Sequence, residues 1–419
     1  MYYFTLNPNE MKREIKKFDE KIVYNVNNKS IRKFSFEMLY GIGASGSCRL
    51  ADIARTLKES TKTAYVVDRL SDNLLRINED EEKIIWNNYR GIVNEYTGED
   101  PIAILDDSDI AKRSSTKLED LDIVKDASSK GKDLVPGYNV CEAVILGKRE
   151  KQPISVYSKI YSCKSNSFVS KKKYTFESID AVIETLNRQC TFVADRAYDD
   201  KKIYKYIEEK ECNFVIRLDK RNLLFKGKSR NIREVAKERK GKIRMDLMFE
   251  GEKKACYISH TKVRLEKNGK EYEFITVYGL GEEPLMLLTN REIKTTSDLR
   301  KVVRIYFSRW RIEEYFKAKK QEYGFEKYFV RTLKAMNILN MFLTMLIGYI
   351  QAIAEQINIK ILGIKLKYAS DSLREKVVVW LSQLARGLKV ILRTARTGIR
   401  NLMNIKHQQT DNVKQLQLF

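Results

Sequence analysis

The spacing of apolar residues divides the chain into a helical beginning, a central part rich in strands and a helical end. Residues 10 to about 95 show the three- and four-residue apolar spacing of amphipathic helices. From residue 100, short apolar runs bounded by turn residues predict strands that alternate with helices. Helical spacing returns over residues 297–362 and again from about 370. Strands alternating with helices predict a mixed α/β core.

Two short helices are predicted close together in the N-terminal part. Leu50–Lys58 has helical apolar spacing, and a polar break at residues 59–61 separates it from a second helical run over Thr63–Leu75. Such a pair is typical of a helix-turn-helix. An ordinary helical hairpin is an equally good interpretation, because the turn lacks the usual glycine.

Two predicted strands of the central part end in carboxylates. The apolar run that starts at Ile102 leads into Asp106 and Asp107, and the run Thr191–Ala194 leads into Asp195. A sheet holds the carboxyl end of a strand firmly beside a crevice, which suits a metal ligand. Each aspartate by itself is better explained as a turn or capping acid.

Residues 219–290 predict a β-rich insertion. Asn268-Gly269, between the strand candidates Lys262–Leu265 and Tyr272–Val277, is a strong hairpin signal. Further strands are predicted over Met245–Phe249, Ala255–Ser259 and Leu285–Leu288.

A run of polar side chains follows one face of the helix predicted after this insertion. At about 100° per residue, its members fall within an arc of roughly 60°; they are Tyr306, Arg309, Glu313 and Lys320. A carboxylate flanked by cations suits a metal site beside phosphate groups. A solvated face of a Lys/Glu-rich helix explains the same pattern.

Composition narrows the classes of function. Lys and Arg number 79 against 56 Asp and Glu, a formal net charge of +23, which indicates a polyanionic partner, usually nucleic acid. The six cysteines are widely spaced and there are two histidines, so neither a zinc site nor a disulfide scaffold is expected. The most apolar stretch, Ile338–Ile353, is interrupted by polar residues and predicts a buried helix rather than a membrane span.

The pattern Tyr-x2-Arg-x3-Glu-x6-Lys, complete here as Tyr306, Arg309, Glu313 and Lys320, resembles the signature of a group of bacterial insertion-sequence transposases of the DDE superfamily. The segments 105–108 and 193–196 resemble the family's first two acidic motifs, and the resemblance covers about residues 100–350. It implies an RNase H-like core that binds two Mg²⁺ ions, with Mn²⁺ as a substitute. The catalytic and metal-binding carboxylates it implies are Asp107, Asp195 and Glu313.

The same resemblance implies DNA-phosphate contacts by Tyr306, Arg309 and Lys320. It aligns Asp107, not Asp106, with the first acid, because a small hydroxyl residue follows. One residue's shift turns a strand side chain to the other face, so only one of the two can be the ligand.

Additional cations are candidates for binding DNA. Five recur at spacings of three and four after residue 380, which predicts one basic helix face formed by Arg386, Lys389, Arg393, Arg396 and Arg400. The solvated face of a packing or dimerising helix is an equally good interpretation. Arg217, after the strand predicted at 213–216, is a weaker candidate.

The expected architecture is an α/β, RNase H-like mixed-sheet core interrupted by a β-rich insertion, with helical N- and C-terminal regions. The expected bounds are 1–95 for a helical DNA-binding region, 96–218 and 291–363 for the two parts of the core, 219–290 for the insertion and 364–419 for a basic helical region.

The predicted function is a DNA transposase that cleaves the ends of its insertion sequence and joins them to target DNA by divalent-metal-dependent phosphoryl transfer. Its expected partners are double-stranded DNA, as terminal inverted repeats and target, and a second copy of the chain in the synaptic complex. We expect it in the bacterial cytoplasm near the nucleoid, not at a membrane. Two alternatives stay open: an RNase H-like nuclease without strand transfer, and an inactive, transposase-derived DNA-binding protein.

Overall fold

A computed structural model describes residues 7–126, 129, 131, 133–149, 151–249, 252–356 and 380–403. The described helices are α1 (Pro8–Ile22), α2 (Lys29–Ser45), α3 (Leu50–Leu57), α4 (Thr63–Arg76), α5 (Glu79–Asn94), α6 (Lys171–Leu186), α7 (Lys201–Glu209), α8 (Ile232–Glu238), α9 (Thr296–Phe307), α10 (Trp310–Tyr323), α11 (Leu333–Gln356), α12 (Trp380–Arg393) and α13 (Arg400–Met403). The described strands are β1 (Ile102–Ala111), β2 (Asp122–Lys125), β3 (Leu134–Leu146), β4 (Pro153–Tyr161), β5 (Thr191–Ala194), β6 (Asn213–Arg217), β7 (Asn222–Phe225), β8 (Lys228–Asn231), β9 (Ile243–Phe249), β10 (Glu252–Arg264), β11 (Glu271–Tyr278) and β12 (Leu285–Thr289). Helix predictions that fall on 357–379 and 404–419 lie outside the described residues.

The centre of the sheet has the strand order β4-β3-β1-β5-β6. β3 runs antiparallel to both β4 and β1, whereas β1, β5 and β6 are parallel to one another. An antiparallel meander followed by two parallel strands, in this order, is the topology of the RNase H-like fold. The expected fold class is therefore confirmed.

The strands after residue 219 extend this sheet rather than forming a separate one. β12 pairs antiparallel with β6, and β11, β10, β7 and β8 follow outward, with β9 on β10. The hairpin predicted at Asn268-Gly269 is confirmed by the pairing of β10 with β11. Two strand predictions, Ala255–Ser259 and Lys262–Leu265, are parts of the single strand β10. The strands β2, β7 and β8 were not predicted.

Side chains on the two faces of the central sheet enter different apolar clusters. Ile104, Val193 and Val215 pack with residues of α9 and α10. Their chain neighbours Leu105 and Ala194 pack with α6 and α7 on the opposite face. Side chains of a strand alternate between the two faces of the sheet. Side chains two residues apart therefore pack in the same cluster, and those of adjacent residues pack in different clusters.

Helix α11 joins the N-terminal helices to the sheet, since it packs on β4, α2, α4 and α5. Among the described residues, Leu333–Glu355 is the one segment long and apolar enough to cross a membrane, and 89% of its most apolar window is buried in the protein. The prediction of a buried helix over Ile338–Ile353 is therefore confirmed.

The contact between α11 and α5 gives a test of this packing. A Cβ on Gly348 of α11 would lie 1.9 Å from the Tyr89 hydroxyl, which donates a hydrogen bond to the Ser155 carbonyl at 2.9 Å. We expect Gly348→Ala to lower the free energy of unfolding by about 1–3 kcal/mol through overpacking. Gly91→Ala, on exposed α5 backbone with no atom within 4 Å of its Cβ, is the control and should stabilise by up to about 1 kcal/mol. Equal effects of the two substitutions in denaturant titrations would contradict this packing.

Candidate active site

Pairing between neighbouring strands places four charged residues in one row across the sheet. Ile104 is opposite Val144 on β3 and Val193 on β5, and Val193 is opposite Val215 on β6. All four side chains belong to the apolar cluster beneath α9 and α10. Two residues further along each strand, on the same face, the row becomes charged; its members are Glu142, Asp106, Asp195 and Arg217.

This row distinguishes the two adjacent aspartates of β1. Asp106, not Asp107, shares the face of Asp195, because the pairing of Ile104 with Val193 fixes the next row. Asp107 is opposite Cys141 on β3, and Cys141 packs against Tyr161 and Tyr174 rather than α10. Asp107 therefore lies on the opposite face from Asp106, and its role as the ligand stays a prediction.

Asp195 keeps the structural role that the sequence also allowed. One carboxylate oxygen accepts a hydrogen bond from the Ala197 N–H at 2.7 Å, which caps the single 3₁₀ turn Arg196–Tyr198. A carboxylate has two oxygens, so capping leaves the second one available toward the crevice.

The predicted helix face 306–320 is interrupted in the structure. Tyr306 lies at the end of α9, and Glu313 and Lys320 lie on α10, with Arg309 at the junction. The Ser308 hydroxyl donates to the Ile305 carbonyl at 2.6 Å, and the Arg309 N–H bonds the Tyr306 carbonyl three residues back. A hydroxyl that competes for a helix carbonyl, with tighter three-residue bonds, explains why one continuous helix does not form.

Arg309 nevertheless brings the acids of sheet and helix together. Its guanidinium donates to Asp106 Oδ2 at 3.2 Å and also to Glu313 Oε1. Burial alone lowers the pKa of Arg309, but Asp106 and Glu313 outweigh it and the net direction is upward. Arg309 is therefore a permanent cation between two carboxylates.

The charged form of Asp106 is disfavoured at this site. Burial raises its pKa to about 7; Arg309 opposes the shift, and the nearby charge of Asp195 adds to it. Tyr306 is buried beside the same groups: burial raises the pKa of its phenol, while Arg309 and Arg217 lower it. The structure thus collects Asp106, Asp195, Tyr306, Arg217 and Arg309 at one end of the parallel strands.

Lys320 is held away from this cluster. Its ammonium donates to Asp109 Oδ2 at 3.2 Å and lies 3.0 Å from Glu326 Oε1. The side chain is 16% exposed. In this arrangement two carboxylates neutralise the charge that was expected to contact DNA.

A buried ion pair that the sequence analysis missed fixes α10 against the sheet. Lys319 and Glu142 are both fully buried, with Lys319 Nζ 3.0 Å from Glu142 Oε2. The Lys319 ammonium also donates to Ser158 and Thr344, and Ser155 and Ser158 donate to Glu142. A glutamate within the apolar run Val140–Leu146 was the available signal. Since Glu142 is the row neighbour of Asp106, this pair ties α10 to the strand beside the site.

The predicted basic face after residue 380 is also divided. α12 ends at Arg393, where the Thr394 hydroxyl donates to the Ile391 carbonyl, so Arg396 lies in a turn and Arg400 begins α13. Arg386 donates two hydrogen bonds to Glu322 at 2.8 and 2.7 Å, and Lys389 is partly buried. Arg393, Arg396 and Arg400 are exposed. The five cations therefore do not form one helix face, and none of them is at the acidic cluster.

Comparison with known proteins gives the family of the chain. Residues 98–348, more than half of the chain, match the family model of the transposase DDE domain. The chain belongs to the DDE transposase family. A search of curated proteins gave no significant match. Among solved structures, the transposase is similar to a piggyBac transposase, described as a synaptic complex with hairpin DNA, at 12% identity and a TM-score of 0.45. That match covers 98% of this chain and 87% of the other.

The buried ion pair of the transposase predicts a large and specific loss of stability. Lys319→Met leaves Glu142 charged and buried, so we expect the free energy of unfolding to fall by about 3–5 kcal/mol. Lys319→Met/Glu142→Gln removes both charges and should recover a large part of that loss. The control is Lys317→Met, an exposed lysine of the same helix, with an expected change within about 0.5 kcal/mol. Equal losses in the single and double variants, measured by urea unfolding, would show that the pair does not act as a unit.

Proposed function

We propose that the protein is a DNA transposase that cleaves the ends of its own element and joins them to target DNA by metal-dependent phosphoryl transfer. The observation that carries this proposal is the meeting of Asp106, Asp195 and Arg217, one row of the parallel strands, with Arg309 and Glu313 of the helix above. Membership of the DDE family and the net charge of +23 support it.

The residues at the site fit divalent cations chemically. Asp106, Asp195 and Glu313 offer carboxylate oxygens, the ligands that Mg²⁺ and Mn²⁺ prefer. Burial is the main cause of the raised pKa of Asp106, and a cation bound there would favour its charged form. Within the described ranges no three acidic, cysteine or histidine side chains already meet at ligating distance, and Glu313 is bonded to Arg309. Two bound ions would activate the attacking oxygen and stabilise the leaving oxygen.

The chain's own side chains would position the DNA strand. Tyr306, Arg217 and Arg309 surround the acids, so a phenol and two guanidiniums face the phosphate to be cut. Arg309 also holds Glu313 in place until DNA enters. Lys320 would contribute to phosphate binding only after exchanging its partners Asp109 and Glu326.

We further propose that the chain belongs to the bacterial insertion-sequence group with the Tyr-Arg-Glu-Lys signature. The complete set Tyr306, Arg309, Glu313 and Lys320 supports this assignment. The N-terminal helices would recognise the terminal inverted repeats, and two copies would hold two element ends. Such a protein would act in the cytoplasm, beside the nucleoid.

The choice between the two adjacent aspartates is directly testable. We expect Asp106→Asn to reduce metal-dependent cleavage of DNA carrying the gene's flanking ends by at least about 100-fold, since even an indirect partner of a metal ligand contributes 10- to 100-fold. Asp107→Asn, the matched neighbour on the opposite face, should change the cleavage rate by less than about tenfold. The reverse order of effects, in variants with unchanged melting temperature, would restore Asp107 as the ligand.

The third carboxylate separates catalysis from binding. Glu313→Gln should abolish cleavage at either Mg²⁺ or Mn²⁺, because the amide keeps the shape but loses the charge. Its affinity for the same DNA should stay within about threefold of the wild type, as measured by gel shift without metal. Loss of binding, or retained cleavage, would count against the proposed role of Glu313. Cleavage without joining of the cut ends to a target plasmid would indicate a nuclease rather than a transposase.

A further inference from the structure

Two segments more than 300 residues apart in the sequence contact each other. Lys58, which ends α3, donates to the Ala395 carbonyl at 2.6 Å. Lys12 of α1 donates to the carbonyls of Thr397 and Gly398 at 2.5 and 3.2 Å. A Cβ on Gly398 would lie 1.9 Å from the Leu57 carbonyl oxygen, so the two backbones are in close contact. The turn after α12 is therefore docked on the connection between α3 and α4.

This junction concentrates positive charge that no acid neutralises. Lys62, Arg393 and Arg396 are exposed, and over the described ranges no carboxylate lies within ion-pair distance of them. Lys58 likewise contacts carbonyls there, with no acidic partner. Arg69 of the same helix α4 is instead paired with Glu37 and Glu59. Exposed, unpaired cations on two segments that contact each other favour an anionic partner at this junction.

The first turn of α4 directly follows Lys62 and is exposed. Thr61, Lys62, Thr63, Ala64 and Tyr65 are exposed, and Tyr65 is 64% exposed. No side chain caps this end of the helix, which leaves its N–H groups available. The buried side of α4, formed by Val66, Leu70 and Leu74, fixes the helix on its neighbours. Exposed threonines and a tyrosine at a helix start suit a nucleic-acid groove, whereas a membrane surface needs a broad apolar face.

We propose that the α3–α4 connection and the turn 394–398 form one composite binding surface for a DNA duplex. The first turn of α4 enters a groove of the duplex, and Arg393 and Arg396 contact the phosphate backbone alongside. This inference rests on the proposed function and adds to it a duplex site that both ends of the chain build. The basic C-terminal residues thus serve as half of the DNA-binding surface, not as a separate helix face.

The test measures how salt weakens binding, because each phosphate contact adds about 0.9 to the slope of log affinity against log salt. The full-length protein is titrated, without divalent metal, with a 30-base-pair duplex from the gene's own flank and with an unrelated duplex of equal length. We expect Arg393→Gln/Arg396→Gln to lower the slope by about two and the affinity roughly 10- to 30-fold at 0.15 M salt. Lys62→Gln should lower the slope by about one, and the triple variant by about three.

Lys202→Gln/Lys205→Gln on α7 removes two exposed charges elsewhere and serves as the control, with an unchanged slope. A salt slope that stays at the wild-type value in the arginine variant would overturn the composite surface. A slope that falls when only one of the two segments is substituted, and not the other, would overturn it as well. So would variants that lose binding to phosphatidylglycerol vesicles while binding the duplex normally. A wild-type protein that shows the expected slopes but never cuts DNA would instead contradict the proposed function and leave this surface intact.

Discussion

The site depends on the register between four strands of the central sheet. Val144, Ile104, Val193 and Val215 form an apolar row under α9 and α10. The next row, two residues on, carries three carboxylates and a guanidinium. Because one register fixes both rows, any slip that moved Asp106 away from Asp195 would also drive apolar side chains out of the core. The hydrophobic contact thereby enforces an unfavourable meeting of like charges.

That meeting is tolerated because α10 supplies cations at two points. Arg309 lies over Asp106, and Lys319 is buried against Glu142. The two pairs differ in character. Lys319 and Glu142 are fully buried among hydroxyl groups, and this pair positions the helix. Arg309 instead donates hydrogen bonds to both Asp106 and the largely exposed Glu313. A helix fixed at one pair and adjustable at the other can hold its carboxylate near the sheet while leaving it free to exchange partners.

Much of the fold was predictable from local signals, and so was the general place of the site. Strands that end in acids, the Asn-Gly hairpin and the buried helix before residue 356 all follow from short-range patterns. The errors have a common physical origin. Ser308 and Thr394 each donate a hydroxyl to the carbonyl three residues back, which ends a helix that apolar periodicity alone would continue. One continuous helix face therefore extends neither from Tyr306 to Lys320 nor from Arg386 to Arg400. The face of Asp107 could not be deduced from local signals, since the face of a strand residue is set by partners distant in the sequence.

The long-range pairs also explain why the ends of the chain belong to one structure. Lys12 and Lys58 use their ammonium groups to cap carbonyls of the turn 395–398, a role that composition cannot distinguish from phosphate binding. Counting lysines and arginines therefore overstates the positive charge that is available to bind DNA. Some of these side chains donate to backbone carbonyls, some form ion pairs with acids, and Lys319 is buried in the core. The net charge indicates the class of partner, but the unmatched cations, fewer in number and fixed by the fold, determine where that partner can bind.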